Sequence, residues 1–304
     1  MDSILLSNGI RVPAIGFGPG GCGYSARYRP PQGDVSYFLY RVYRKLVLHP
    51  RQAWHYVAAV ASAIEQGFRL IDYSAAYGDG SLVGRGIRRS GVPLEELTLT
   101  TRVSNRAQVN GTIVEEFQQQ LQGLGTDYVD ILMFHWPVTG HYEQTWLQMV
   151  DLYRQGYCRM LGVANCHQHH LERLMEISDV VPAIDQFEVH PLFTQQPLMG
   201  FCREHGIQVE AYTPIARFDD RLMRLPKLQA IAQRYHKTVT QVVLRWHVQH
   251  GVIPVVRTLS AAHQRENLAI FDFQLTPEEM QVIDSVNINA RVRYDPDNCD
   301  FSIL

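Results

Sequence analysis

Eight short apolar runs, each followed by a pattern typical of an amphipathic helix, constrain this chain more than any other feature of its sequence. Parallel strands need a crossover between neighbours, so alternating strands and helices predict a parallel sheet. Eight such units are enough to close a (β/α)8 barrel, and polar residues collect at the C-terminal ends of the runs, where barrels of this kind carry their active sites. The runs cover residues 12–18, 70–73, 97–103, 129–135, 158–165, 183–190, 207–213 and 252–258.

The patterns between the runs have the 3.6-residue period of amphipathic helices. The clearest covers residues 113–124, where Ile113 and Phe117 lie on one face, and another covers residues 57–64. A Rossmann fold is the competing interpretation, and it needs a glycine-rich turn that opens directly into a helix. Five glycines occur within residues 16–23, but no helical pattern begins in the next few residues, so the sequence favours the barrel.

The composition predicts one domain over residues 1–304 with a sizeable core, because 46% of the residues are hydrophobic. A formal net charge of −2 without charged tails gives no sign of a nucleic acid or membrane partner, and no apolar run approaches the roughly 20 residues of a membrane span. Five cysteines without a Cys-x-x-Cys pair suit reduced thiols. The start of the chain lacks the pattern of a secretory signal, so we expect a cytoplasmic protein.

Three histidines, His167, His169 and His170, crowd the predicted start of one helix. A metal site needs two ligands on one helix face together with partners from elsewhere, whereas polar side chains at a helix start more often cap the helix. We therefore expect capping and contact with solvent here, and no metal site.

Two segments carry a resemblance to a known family. The sequences Gly-Phe-Arg-Leu-Ile-Asp-Tyr-Ser-Ala-Ala-Tyr-Gly at 67–78 and Phe-His-Trp-Pro at 134–137 resemble motifs of the aldo-keto reductases. The resemblance covers nearly the whole chain, from the opening hairpin at Asn8 to residues 295–301, and the tail at 289–304 is similar to that of the prostaglandin F synthase and 2,5-diketo-gluconate reductase branches. It implies a barrel with an N-terminal β-hairpin and the activity of an NAD(P)H-dependent carbonyl reductase, an alcohol:NADP+ oxidoreductase.

Reduction of a carbonyl by hydride transfer builds negative charge on oxygen, so the site needs a proton donor and a group that polarises the carbonyl. Tyr77 is the candidate acid, and because a free tyrosine has a pKa of about 10, we expect a cation held by a carboxylate to bring that pKa down. By resemblance, Asp72, Tyr77, His135 and a lysine at the end of the third strand form the family's catalytic tetrad.

Arg102 stands where the family has this lysine. Arginine keeps the charge and can pair with Asp72 through two nitrogens, but its planar group is larger and cannot approach the phenol oxygen as a compact ammonium does. We therefore expect a working acid that is slower by about one to two orders of magnitude.

The resemblance also implies a nicotinamide cofactor at the barrel mouth. Asn165 and Gln186 match the amides that hold the nicotinamide carboxamide, and both can donate and accept hydrogen bonds. Tyr212, followed by Thr213, matches the aromatic residue on which the nicotinamide ring stacks. Ala164 stands where the family usually has serine, which removes one hydrogen bond worth about 1 kcal/mol.

At the adenosine end of the cofactor, the resemblance assigns Arg257, Thr258, His263, Glu266 and Asn267. Arginine is well shaped to bind a 2′-phosphate. His263 occupies the place of a second family arginine, and a neutral histidine pairs poorly with phosphate. We therefore expect NADPH as the cofactor, with a weaker preference than usual and some use of NADH.

The step from the first to the second run contains an insertion at 24–51 in the loop after the first strand, with an amphipathic pattern over residues 35–46. Because it follows a strand, the insertion leaves from the catalytic face, so it is either a lid over the substrate or a helix packed on the barrel side or in a dimer contact. Gly20, where many family members have tryptophan, is expected to line the substrate pocket together with Tyr24 and Trp136. The expected assembly is a monomer or weak dimer.

Three functions are compatible with this sequence. The first is reduction of a small-molecule carbonyl substrate. The second is reduction of a conjugated carbon–carbon double bond, but family members with that activity characteristically replace the histidine by glutamate, so His135 favours carbonyl reduction. The third is a catalytically impaired NADPH-binding module that acts as a sensor or partner subunit, which the departures at Arg102 and Ala164 keep open.

Overall fold

The structure, a computed structural model, describes residues 2–20, 49–78 and 80–301, and it is a closed eight-stranded parallel barrel preceded by an antiparallel hairpin. This architecture confirms the predicted fold. In the barrel each strand pairs with the next along the chain, and the last strand pairs with the first. The hairpin strands are β1 Ser3–Leu5 and β2 Arg11–Pro13, and the barrel strands are β3 Gly16–Phe17, β4 Leu70–Asp72, β5 Thr98–Val103, β6 Val129–Phe134, β7 Cys158–Ala164, β8 Ile184–Glu188, β9 Gln208–Tyr212 and β10 Ile253–Val256.

The hairpin closes the N-terminal end of the barrel. Its turn contains Gly9 with a φ of 81°, a conformation that glycine adopts at no steric cost. Leu6 and Val12 join Leu70 and Ile253, each the first residue of its strand, in one buried apolar cluster. The hairpin thus leaves uncovered the opposite, C-terminal end of the barrel, where the predicted site residues lie.

The first predicted run, residues 12–18, is wrong as a single strand. Val12 and Pro13 belong to hairpin strand β2, and barrel strand β3 begins at Gly16. Pro13 has no N–H to donate, which fits the end of a hairpin strand better than the middle of a continuous barrel strand.

The described helices lie around the barrel, and the predicted apolar stripes face its wall. In the stripe at residues 57–64, Val57, Val60, Ala61 and Ile64 are buried. In residues 113–124, the buried residues include Ile113, Phe117, Leu121 and Leu124. The described α-helices are α1 His49–Glu65, α2 Gly80–Ser90, α3 Asn105–Asn110, α4 Ile113–Leu124, α5 Tyr142–Arg154, α6 Gln168–Ile177, α7 Gln196–Glu204, α8 Asp220–Met223, α9 Pro226–Arg234, α10 Val239–Gln249, α11 Ala261–Leu268 and α12 Pro277–Asp284.

Most of the predicted insertion at 24–51 lies outside the described residues, including Tyr24 and the amphipathic pattern at 35–46. Residues 49–51 form the first turn of α1. Among the described cysteines, Cys158, Cys166, Cys202 and Cys299 are free thiols, while Cys22 lies outside the described part. None of the helices in the described ranges is long and apolar enough to cross a membrane.

Candidate active site

The strand ends bring the four predicted catalytic residues together at the C-terminal mouth of the barrel. Asp72 is the last residue of β4, and Arg102 is next to last in β5. His135 follows β6 directly, and Tyr77 ends a short 3-10 helix, Ala75–Tyr77, that follows β4. The sequence therefore predicted correctly that these positions are neighbours in the fold.

Asp72 and Arg102 form a buried ion pair between neighbouring strands. Arg102 Nη2 lies 2.6 Å from Asp72 Oδ1, and the two side chains are 1% and 7% exposed. Arg102 Nη1 also donates to the carbonyl of Tyr73 at 3.2 Å. On the helix side, Gln120 Nε2 donates to the Arg102 carbonyl at 3.1 Å, so both ends of this arginine are held.

A tight turn presents Tyr77 at the mouth. Ser74 caps the 3-10 helix by accepting from the Ala76 N–H at 3.3 Å, and its carbonyl accepts from the Tyr77 N–H at 2.9 Å. The Tyr77 residue is 39% exposed, so a substrate can reach it, although the protein atoms crowded around its phenol still shield that group from much of the solvent. Its ring meets the His135 ring edge to face, with the centroids 5.7 Å apart.

The pKa of Tyr77 differs from the expectation. Burial of the phenol raises this pKa above its ordinary value of 10.0, the charge of Arg102 lowers it, and Asp72 raises it. The cation thus acts in the expected direction, but the expectation of a lowered pKa is wrong because burial outweighs it. Tyr77 therefore stays protonated through the neutral range, the form needed to donate a proton.

His135 is held as a neutral imidazole. Burial, together with the charges of Arg102 and Arg293, lowers its pKa from 6.5 to about 3. Its N–H donates to the Val103 carbonyl at 3.1 Å, and its carbonyl accepts from Asn165 Nδ2 at 2.9 Å. A neutral imidazole offers one N–H donor, which suits it to polarise a carbonyl group.

The predicted nicotinamide residues lie next to these groups. The Tyr212 hydroxyl donates to Asn165 Oδ1 at 2.6 Å, and the Asn165 N–H donates to the Gln186 carbonyl at 2.9 Å. Thr213 has a φ of 47°, and its hydroxyl is buried without a hydrogen-bond partner among the described residues. A buried hydroxyl in this position is available to a ligand at low cost, because it has no bond to give up.

Glu210, which the sequence interpretation missed, lies beneath the site. Gln186 Nε2 donates to Glu210 Oε2 at 2.8 Å, and the residue is fully buried. Burial and the charge of Asp72 raise the pKa of Glu210 from 4.5 to about 7, against the opposing effects of the Gln186 hydrogen bond and of Arg102. The one sequence feature that could have identified Glu210 is the presence of a carboxylate in the otherwise apolar centre of a barrel strand.

The predicted adenosine-end residues follow β10. Arg257 is exposed and Thr258 is partly exposed, while Ser260 caps α11 by accepting from the His263 N–H at 3.5 Å. The N-terminus of a helix offers free N–H groups and partial positive charge, which favour a phosphate. His263 is exposed at this helix start.

Glu266 and Asn267 lie one turn further along α11. Glu266 Oε1 accepts from the Thr238 hydroxyl at 2.7 Å, so it is already tied to the neighbouring helix α10. Asn267 is 7% exposed. Both residues lie on the predicted helix, and their contact with a cofactor stays a prediction.

Two of the three predicted substrate residues can be placed. Gly20, with a φ of 64°, lies so close to Arg257 that a Cβ would collide with the guanidinium. The small residue thus makes room for Arg257, a role that the sequence interpretation did not foresee. Trp136 is buried, and its ring lies 6.5 Å from that of Phe301 in the C-terminal segment.

The C-terminal tail, residues 289–301, is fastened beside the site by Glu188, another residue that the sequence interpretation missed. The Val292 and Arg293 N–H groups donate to the Glu188 carboxylate at 2.6 and 2.9 Å, and His190 Nε2 lies 2.9 Å from it. Through this contact, the charge of Arg293 reaches the site and lowers the pKa values of Tyr77 and His135.

Comparisons with known proteins show what this chain is similar to. Residues 52–288 match the sequence model of the Aldo/keto reductase family. The chain is 41% identical over 249 residues to an uncharacterized oxidoreductase of Bacillus subtilis (strain 168), covering 81% of this chain and 88% of that protein. It is 39% identical over 243 residues to the glyoxal reductase of the same strain, covering 80% and 87%. The crystal structure of a Bombyx mori aldo-keto reductase in complex with NADP has a TM-score of 0.81 at 32% identity, covering 97% of this chain and 96% of that one.

The buried Glu210 predicts a pH-dependent stability. Its pKa is about 7 in the folded chain against 4.5 ordinarily, so its contribution to folding is full below about pH 4.5 and is lost as the pH rises through 7. In the wild type, we expect the free energy of unfolding to fall by about 3 kcal/mol between pH 4.5 and 8 because of this group. We expect Glu210→Gln to abolish that fall, as measured by urea denaturation. The exposed Glu204→Gln is the matched control, and equal pH profiles for all three proteins would contradict the prediction.

Proposed function

The chain belongs to the aldo/keto reductase family, and we propose that it reduces an aldehyde or ketone to an alcohol with NADPH, using Tyr77 as the proton donor. The observation that carries this proposal is the meeting of Tyr77, neutral His135 and the buried Asp72–Arg102 pair at the barrel mouth. Each group singly is common in proteins, but their convergence at the catalytic face matches the needs of carbonyl reduction.

The residues at the mouth fit a nicotinamide cofactor. Tyr212 offers a ring beside the amides of Asn165 and Gln186, and the unpartnered Thr213 hydroxyl lies next to it in sequence. NADPH, when bound, supplies the hydride. Asn165 and Gln186 would hold its carboxamide, and Tyr212 would stack on the nicotinamide ring.

The other end of the cofactor would lie beyond β10. Arg257 is exposed and has room because Gly20 lacks a side chain. Together with Thr258 and the capped start of α11, it would bind the 2′-phosphate. His263 at this helix start contributes less charge than an arginine would, so some use of NADH is expected.

The chain's own residues would act on the developing alkoxide. As negative charge builds on the carbonyl oxygen, Tyr77 donates its phenolic proton and the neutral His135 N–H stabilises the same oxygen. Loss of this proton converts Tyr77 to a phenolate, and the buried Arg102 offsets its negative charge. Asp72 keeps that cation in place and balances its charge inside the barrel.

One observation favours a second candidate function. The pKa of Tyr77 lies above its ordinary value because burial outweighs Arg102, which makes Tyr77 a weak acid. Together with Ala164 beside Asn165, this favours an impaired NADPH-binding module acting as a sensor or partner subunit. His135 argues against reduction of a conjugated double bond, as in the sequence interpretation.

Small aldehydes, diketo sugars and quinones are the first substrates to test. The similarity to a protein named glyoxal reductase adds small dicarbonyls to this panel.

Tyr77→Phe tests the proposed chemistry. We expect this variant to lose turnover of every carbonyl compound that the wild type reduces, because it has no phenolic proton to donate. It should still bind NADPH, as shown by a change in NADPH fluorescence. The measurement is the initial rate of NADPH oxidation, with Tyr153→Phe on the surface of α5 as the control. Turnover that persists in Tyr77→Phe would reject Tyr77 as the acid, and NADPH binding without turnover in the wild type would favour the sensor or partner subunit.

Arg102→Lys tests the unusual cation. A lysine keeps the pairing with Asp72 but brings a compact ammonium toward the phenol oxygen, so we expect kcat for reduction to rise by about tenfold. The rate is to be measured at saturating NADPH together with the urea midpoint of unfolding. If kcat falls while stability is kept, arginine is the better cation in this barrel and the expected slowing is wrong.

His263→Arg tests the adenosine-end assignment. A second arginine at the start of α11 should lower the KM for NADPH by about tenfold and leave that for NADH unchanged, because NADH has no 2′-phosphate. The readout is the ratio of kcat/KM for the two cofactors, with Arg265→Gln in the same helix as the control. An unchanged ratio would place the 2′-phosphate elsewhere.

A further inference from the structure

A cluster of imidazoles and a carboxylate lies outside the proposed reaction site, where helix α6 meets the C-terminal tail. His167 Nδ1 lies 2.7 Å from Asp297 Oδ2, and His169 Nε2 lies 3.3 Å from Asp297 Oδ1. The three donor atoms all lie within 4.8 Å of one another. The sequence showed the histidines at a helix start, but the outside partner that a metal site needs appears only when the tail is folded.

This donor set has the chemistry of a zinc site. Two imidazole nitrogens and one carboxylate oxygen are ordinary ligands of Zn²⁺, at about 2.0–2.2 Å from the ion, which places ligand atoms of a tetrahedral site about 3.4 Å apart. His169 Nε2 already lies 3.3 Å from Asp297 Oδ1, whereas His167 Nδ1 lies 2.7 Å from the other oxygen, Oδ2, so the carboxylate must turn to offer one oxygen to both imidazoles. Mg²⁺ and Ca²⁺ prefer shells made of oxygen, so the two imidazoles select against them.

His170 supports the cluster rather than completing it. Its Nδ1 accepts from the His167 N–H at 3.1 Å, so the capping that the sequence predicted is confirmed for this residue. The His169 ring packs on it with the centroids 3.9 Å apart, which orients the His169 ring.

Two groups oppose a cation here. The N-terminus of α6 carries partial positive charge, and Arg291 Nη2 lies 3.4 Å from His167 Nε2. The negative charge of Asp297 offsets the partial positive charge of the helix N-terminus. Arg291 is also packed over the Phe193 ring at 4.7 Å, so a small shift onto that ring would free His167 Nε2 to carry the proton when Nδ1 binds the ion.

We propose that His167, His169 and Asp297 bind one Zn²⁺ ion with an open fourth position, and that this ion fastens the C-terminal tail to the start of α6. The site is separate from the proposed carbonyl chemistry and does not depend on it. It joins two segments that border the mouth, since a cleft there is lined by Asn165, Tyr212, Glu188, Arg291 and Pro296, among others. An ion at this position would stiffen one wall of that cleft.

The test measures Zn²⁺ binding to the untagged full-length chain by isothermal titration calorimetry, with Mg²⁺ as the comparison ion. We expect saturable one-to-one binding of Zn²⁺ and none of Mg²⁺. His169→Gln and Asp297→Asn should each weaken binding by about tenfold or more, because each removes a ligand. His205→Gln, which removes an exposed histidine at the end of α7, should bind as the wild type does.

A second readout locates the ion. Trypsin cleaves after Arg291 and Arg293, and mass spectrometry follows these two cuts in the tail with and without Zn²⁺. The ion should slow them in the wild type and in His205→Gln, but not in His169→Gln. Three results would each overturn the proposal: no Zn²⁺ binding to the wild type, binding to His169→Gln and Asp297→Asn as tight as to the wild type, or tail cleavage that Zn²⁺ does not slow.

Discussion

The buried ion pair between Asp72 and Arg102 is the interaction on which the rest of the site depends. Moving either charge out of water costs several kcal/mol, and loss of one partner would leave the other uncompensated in the barrel. The pair is satisfied because neighbouring strands β4 and β5 place its members 2.6 Å apart and because Arg102 also bonds the Tyr73 carbonyl. The interior of the barrel can therefore hold a fixed cation whose charge acts on the phenol of Tyr77.

The same burial that makes the pair strong sets the protonation states around it. Desolvation raises the pKa of Tyr77 and lowers that of His135, and Arg102 opposes the first shift and adds to the second. At neutral pH both residues consequently carry a proton that can be donated, Tyr77 as a phenol and His135 as a neutral imidazole. This combination suits the protonation of a developing alkoxide better than the reverse reaction, which would begin by removing a proton from an alcohol.

The sequence predicted the barrel and the catalytic positions because both follow from short-range patterns: the alternation of strands and helices, and polar residues at strand ends. It missed Glu210 because a strand buried on both faces has no alternation to show which way a side chain points. It missed the contacts of Glu188 with Val292 and Arg293 because they join residues more than 100 positions apart through the fold of the tail. It joined Val12 to the first barrel strand because the apolar pattern continues across Pro13, where the backbone in fact changes sheets.

Glu210 helps to stabilise the charge of the arginine at position 102. A guanidinium has five N–H donors and a delocalised charge, and in a barrel built for a smaller ammonium it would be costly unless carboxylates surround it. Burial lowers the pKa of Arg102, but Asp72 raises it and Glu210 adds to that effect, so the arginine keeps its charge. Because the pKa of Glu210 is about 7, the second carboxylate gains or loses its charge near neutral pH. The balance of charge around Arg102 is thus adjustable under conditions in which Asp72 stays paired with it.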